Sequence, residues 1–344
     1  MLRRLRYPSY FLPFLFLLIL GLLPFIINNE YILQVFIMFL FNAYLASGWN
    51  IISGFAGQLS LGHAAFVGIG AYTSTILFVQ WGISPWIGMI FGGVIAAIFG
   101  WLIGYPVFKL RGPYYALATI AYGEIIRIFI QNTKAVGPIE LKGAEGILIP
   151  FKGSSPALFQ FETKAAYYYV ALAMFLLVLL LSYKIKNSKM GYYLSAIGND
   201  QDAAESLGVN TSKMKLTASA ISAFVMALGG TFYAQFLLYI NPQGVLSGDF
   251  STEIAVIGII GGEGTVFGPV LGSLILTPLS ELTRIYLGGR FAGVHLLAYG
   301  LILMAVVTHI PHGVIGTFSK LYHRILLKLG DPVVSAKTGA GKTL

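Results

Sequence analysis

The sequence has no cysteine, and only 10% of its 344 residues are charged, where an ordinary soluble domain carries about 25%. Without cysteine there can be no disulfide, thiolate metal site or cysteine nucleophile. With so few charges a soluble catalytic domain does not fit. There is no H-E-x-x-H site and no His, Asp and Ser constellation. The last residues, TGAGKTL, echo a phosphate-binding loop, but Ala336 stands where that pattern needs glycine and no strand precedes it. ATP hydrolysis by this chain alone is therefore not expected.

What is present is apolar: 57% hydrophobic residues and a mean hydropathy of +0.79. These values predict an all-α, polytopic membrane protein. The net charge of +9 fits basic residues kept on the cytoplasmic face and needs no nucleic-acid partner. MLRRLRYPSYFLPFLFLLIL, a basic start followed by an apolar run without a small-x-small cleavage site, reads as an uncleaved first span.

A crossing takes about 20 residues at 1.5 Å each. About eight full spans are expected, at 10–28, 31–50, 63–80, 85–108, 113–132, 165–183, 215–240 and 291–309. Between them, 251–282 holds a first limb too short to cross, then GGEGT, then a second limb. If this is a hairpin returning to its own face, fifteen of the 22 Lys and Arg fall inside and six outside; a single crossing gives twelve against nine. The hairpin is the better reading, and it puts both termini in the cytoplasm. One membrane domain, 1–309, then carries an outer loop at 133–164 and an inner loop at 184–214. The basic tail, 310–344, contains FSKLYHRILLKLG, patterned as a helix lying on an anionic leaflet.

Gly54 to Gly70, GFAGQLSLGHAAFVGIG, interrupts the apolar pattern without a single charge. Backbone that is neither regular helix nor solvated loop is tolerated at membrane depth when buried in protein or lining a cavity. Gly54, Gly57, Gln58, Ser60, Gly62 and His63 are accordingly candidate pathway or gate residues. His63 by itself reads as a hydrogen-bonded structural residue. A second interruption, with Gly261, Gly262, Gly264 and Gly268, makes a pair of the kind that marks midplane pathways, although glycine also serves close helix packing. Glu263 in that turn is expected to cap freed amides. Glu124 and Arg127, one turn apart within a span, read as an intramembrane charge pair.

In the inner loop, Asn199 or Asp200 can cap a short helix, Asp202 suits its positive end and Gly208 its stop. Ala203, Ala204 and Leu207 would form an apolar ridge for a cytosolic partner, and Ala204→Arg is expected to abolish its docking. The D-A-A-x-x-x-G spacing resembles the E-A-A-x-x-x-G loop of ABC importer permeases. GFAGQLSLGHAAFVGIGAYTS, YYALATIAYGEIIRIF, IGNDQDAAESLGVNTSKMKLTASAISAFVMALGGTFYAQF, GIIGGEGTVFGPVLGS and PHGVIG resemble, in order, the branched-chain amino acid permease family, nearest the second of its two permease subunits. Where that family has Arg and an acid before the Ala pair, this chain has Gly198, Asn199 and Asp200.

The resemblance implies a cell-membrane subunit, in the inner membrane if the cell is Gram-negative. Its partners would be a homologous second permease, two cytosolic ATPases and an extracytoplasmic solute-binding protein. ATP and Mg would sit on the ATPases, with no cofactor on this chain. Branched-chain amino acids are the expected solutes, and urea, amides or short carboxylates the alternative. An ion-coupled secondary transporter or channel is the rival class; it would want several ionisable residues within spans.

Overall fold

The computed structural model describes residues 18–27, 29–287, 300, 304 and 313–316. The expected span at 291–309 apart from 300 and 304, the start of the first span and the surface helix of the tail lie outside the described residues. Within them the chain runs α1 (18–26), α2 (Glu30–Asn50), α3 (Ser53–Ala56), α4 (Ala64–Trp81), α5 (Pro85–Val107) and α6 (Pro113–Asn132). It continues through α7 (Lys164–Lys186), α8 (Lys189–Asn199), α9 (Gln201–Ser206), α10 (Thr211–Leu237), α11 (Pro242–Val245), α12 (Gly248–Gly262) and α13 (Gly268–Leu287).

Six helical stretches among the described residues are long and apolar enough to cross a membrane. Two more, α6 and α13, are 20 residues long but carry Glu124 and Arg127, and Glu281 and Arg284. The protein is a multi-pass, helical membrane protein, and the count of eight is approximate.

In hydrocarbon an outward apolar face costs nothing, so packing falls to small residues that let backbones close up. α5 follows this rule. Gly88, Gly92, Ala96, Gly100 and Gly104, every fourth residue, are buried, while Ile90, Phe91, Ile98 and Trp101 are exposed. A Cβ on Gly88 would lie 2.8 Å from Ser74 Cα, and one on Gly100 2.9 Å from Ala223 Cβ. α5 therefore lies tight against α4 and α10, and these three pack most extensively on one another. α2 packs on α7 and α13, and α12 packs on α13 and α2.

The two ends of the bundle differ. At one, the α6–α7 connection forms two small antiparallel ladders, β1 (Ala135–Val136) with β2 (Ile139–Glu140), and β3 (Ile147–Leu148) with β4 (Tyr239–Ile240), which follows α10. Trp86 clamps this connection by stacking on Phe159 at 4.2 Å and donating from Nε1 to the Pro156 carbonyl at 2.7 Å. At the other end lie α8, α9, the α3 bend and the turn between α12 and α13.

The expected hairpin is present: the 263–267 turn sits by Lys186, and α13 returns until Glu281 accepts from Tyr31, at the head of α2, at 3.1 Å. Its first limb is longer than expected. Helix begins at Gly248, and with α11 it makes a 21-residue stretch, Pro242–Gly262, of crossing length. The expected span at 215–240 is also shifted, because α10 starts at Thr211 and Leu238, with φ +56°, ends it.

Candidate functional site

Between α3 and α4 the backbone leaves helical geometry, and its polar groups need partners. Side chains from four helices supply them. The Ser60 amide donates to Ser53 Oγ at 3.3 Å, the Leu61 amide to Thr119 Oγ1 at 2.9 Å and the Ala64 amide to Ser251 Oγ at 2.8 Å. Trp49 Nε1 donates to the Ser60 carbonyl at 2.8 Å. Gly62 lies against the α6 backbone so closely that a Cβ would collide with the Thr119 carbonyl. Among the described residues Gln58 reaches only the Ala56 carbonyl, at 3.3 Å.

His63 is buried between two hydroxyls, with Nδ1 2.7 Å from Ser60 Oγ and Nε2 2.9 Å from Ser222 Oγ. Ser222 spends its proton on the Gly48 carbonyl at 2.8 Å. It therefore accepts from Nε2–H, and Nδ1 accepts from Ser60. The imidazole is a neutral strut with both nitrogens used.

The two glycine-rich interruptions touch. Asn50 Oδ1 accepts from the Gly264 amide at 2.9 Å, while Asn50 Nδ2 donates to the Thr265 carbonyl at 2.8 Å. Lys186 Nζ donates to the Gly264 carbonyl at 2.9 Å. Gly54 lies directly over this turn, where a Cβ would sit 2.6 Å from the Gly264 nitrogen. Gly261, Gly268 and Gly272 bring the backbones of α12 and α13 into contact, and Gly262 turns with φ +117°. Glu263 does not cap this turn: it is exposed, and Thr265 Oγ1 takes the Gly268 amide at 2.9 Å.

The short inner-loop helix is α9. Asp200 is its cap, accepting from the amides of Asp202 and Ala203 at 3.0 Å, and Gly208 ends the turn with φ +85°. Arg111 binds Asp202 through two parallel hydrogen bonds of 2.8 Å. That guanidinium, by hydrogen bonding first and charge second, holds the Asp202 carboxyl below the usual carboxylate range. The expected ridge needs one correction. Ala204 is 2% exposed and faces inward, so Ala203 and Leu207, four residues apart, form the outer ridge alone, and Leu207 is 85% exposed. Ala204→Arg would therefore disrupt the anchor of α9 and not just its contact face. Behind α9, α8 rests on the α3 bend, and a Cβ on Gly57 would lie 3.1 Å from Gly198 Cα.

Arg127 is ion-paired with Glu124 on α6 and donates to Gln243 of α11 at 2.7 Å.

A family model described as "Branched-chain amino acid transport system / permease component" matches residues 31–308. The chain belongs to this family. The permease is similar to the high-affinity branched-chain amino acid transport system permease protein LivM of Escherichia coli K12, at 29% identity over 87% of this chain and 70% of that protein. It is also similar to LivH of Salmonella typhimurium, at 27% identity over 80% of this chain and 91% of that protein. The fructose import permease protein FrcC of Rhizobium meliloti is 26% identical over 66% of this chain and 63% of that protein. No solved structure matches. The permease is thus an ABC transporter component and not an enzyme.

Two features of the permease escaped sequence reasoning. One is Asn50, which looks like an ordinary polar residue at a span end. The other is a cavity of about 290 Å³ between α2, α10, α12 and α13, with Asp249, Glu253 and Glu281 in its wall. The i, i+4 spacing of Asp249 and Glu253 at the head of an apolar segment was the available signal.

Proposed function

We propose that this permease imports branched-chain or related aliphatic amino acids. It would act with a homologous second permease, two cytosolic ATPases that bind ATP and Mg, and an extracytoplasmic solute-binding protein. The observation that carries the reading is α9: a capped, inwardly anchored helix with Ala203 and Leu207 exposed, at the end where both interruptions meet. In this reading that end is cytoplasmic, supported by Lys109, Arg111, Lys184, Lys186, Lys189 and Lys213 there. The 133–163 connection would then face outward, toward the binding protein.

Closure of the ATPases on ATP would push α9. Through α8 the push reaches the Phe55–Gly57 bend, and from Gly54 it reaches the Gly264 turn that joins α12 to α13. Gly54 to Gly62 and Gly261 to Gly268 then act as a gate of close-packed backbone, which switches between arrangements as a unit. The names of LivM and LivH support the solute class, while FrcC is a relative named for a sugar.

The test is uptake of labelled leucine by proteoliposomes holding the complete assembly. Accumulation should require ATP and the binding protein and should stop with vanadate. Uptake that persists under vanadate and follows an ion gradient would overturn the reading in favour of a secondary transporter.

A further inference from the structure

We infer that the cavity between α2, α10, α12 and α13 is a transit subsite for the ammonium group of the amino acid, a deepening that rests on the import reading above. The cavity measures about 290 Å³, at the small end of ligand pockets, which span about 300–1,000 Å³. Asn42 in its wall lies twelve residues along α2 from Glu30, so the cavity reaches about 18 Å below that end.

Among the described residues its charged lining is acidic: Asp249 and Glu253 stand one turn apart on α12, with Glu281 from α13 in the same wall, and no described Lys, Arg or His lines the space. Glu281 accepts from Tyr31, but no cation among the described residues pairs with Asp249 or Glu253. Glu253 is half-buried and lies nine residues, about 14 Å, along α12 from Gly262, and a carboxylate at such depth is costly and belongs to a pathway or binding site. Asn42 gives an independent sign of a missing donor. It is 6% exposed, its Nδ2 donates to Thr277 Oγ1 at 3.1 Å, and its Oδ1 accepts from no described residue.

A compact cation with three N–H donors meets these demands together, because it can donate to Glu253 and to Asn42 at once. The remaining wall suits the rest of such a solute. Phe250 and Tyr233 stack at 5.9 Å beside Met38, an apolar surface for an aliphatic side chain. A bare metal ion would have no use for that wall.

The absence of cysteine makes a direct experiment available. Ser280→Cys places a single thiol in the cavity wall of this chain. In the assembled transporter without binding protein, its labelling by a membrane-impermeant maleimide is followed with leucine, 3-methylbutylamine, 4-methylpentanoate or metal chloride salts present. Leucine and the amine should slow labelling, and the deaminated acid should not. Adding Glu253→Gln should leave the unprotected rate as it was, showing the cavity still open. It should raise the leucine concentration needed for protection about tenfold or more, as loss of a charge-assisted hydrogen bond implies.

Equal protection by leucine and 4-methylpentanoate, or protection by metal salts alone, overturns the subsite. Should Glu253→Gln fail to assemble, the solute series in the Ser280→Cys background decides by itself. Leucine uptake by wild type in parallel separates the two claims. Uptake without amine protection removes the subsite and leaves the importer, while amine protection without leucine uptake removes the importer and leaves an ammonium site.

Discussion

Asn50 grips the Gly264 turn from both sides, accepting from the Gly264 amide and donating to the Thr265 carbonyl, so one amide side chain at the foot of α2 stands in for a paired strand. Asn50→Ala leaves both groups without partners and should cost about 1–3 kcal/mol, the usual penalty for an unmet buried polar group. Thermal unfolding of the purified permease reads this. Asn50→Asp keeps the acceptor but loses the donor, and should be no better. A melting temperature unchanged in both variants would make the grip incidental.

The α12–α13 contact is backbone against backbone, so it should not tolerate one added carbon. Gly261→Ala drives a methyl into the Gly268 carbonyl, whereas a Cβ on Gly248 meets nothing within 4 Å. Overpacking of this kind costs about 1–3 kcal/mol, while Gly248→Ala should stay within about 0.5 kcal/mol of wild type. The comparison is made by unfolding both in the same detergent.

On α9 the two faces should separate cleanly. Leu207→Arg changes an exposed side chain and should leave the permease folded, while ATPase co-purification and leucine uptake drop about tenfold or more, as the loss of a central contact residue predicts. Ala204→Arg buries a charge and should lower the melting temperature as well. Full uptake with Leu207→Arg would remove α9 from the coupling route.

Much of this was legible because periodicity and caps are local. The spans at 31–50 and 85–108 differ by one residue from α2 and α5, 113–132 coincides with α6, and the cap at Asn199 or Asp200 and the stop at Gly208 could be read from their chemistry alone. The inward turn of Ala204 was not legible, since it depends on what α9 packs against. Nor was the meeting of Asn50 with Gly264, more than two hundred residues apart, or the gathering of Asp249, Glu253 and Glu281 around one space. Glu263 misled because a carboxylate in a glycine turn suggests a cap, while Asn50 and Thr265 had already taken the amides.

His63 should behave as a strut in solution too. His63→Gln keeps a donor and an acceptor on one side chain and should retain most uptake, with a pH profile between 5.5 and 8 that overlays wild type. His63→Ala strands Ser60 and Ser222 and should destabilise by about 1–3 kcal/mol. A flattened pH profile in His63→Gln would instead indicate proton transfer through the ring.

The Arg111–Asp202 pair sets its own pH window. Because the folded-state pKa of Asp202 lies below its ordinary 3.8, the contribution of the pair is present above that value and is lost as pH falls through the depressed one. Coupling should therefore show no loss from this pair between pH 5.5 and 8. Both side chains are exposed, so salt should weaken the pair. Arg111→Ala should leave global stability unchanged while hydrogen exchange at the α9 amides speeds up.

The ladder between β3 and β4 has a consequence for how the two surfaces of the permease move. β4 follows the last turn of α10, and the first turn of α10 begins five residues beyond α9. Twenty-seven residues of continuous helix, about 40 Å, join them. α10 is thus a single beam with the α9 ridge at one tip and the 133–163 connection stitched to the other. Tilting it in the bilayer must displace both tips together, in opposite senses about whatever fulcrum α4 and α5 provide.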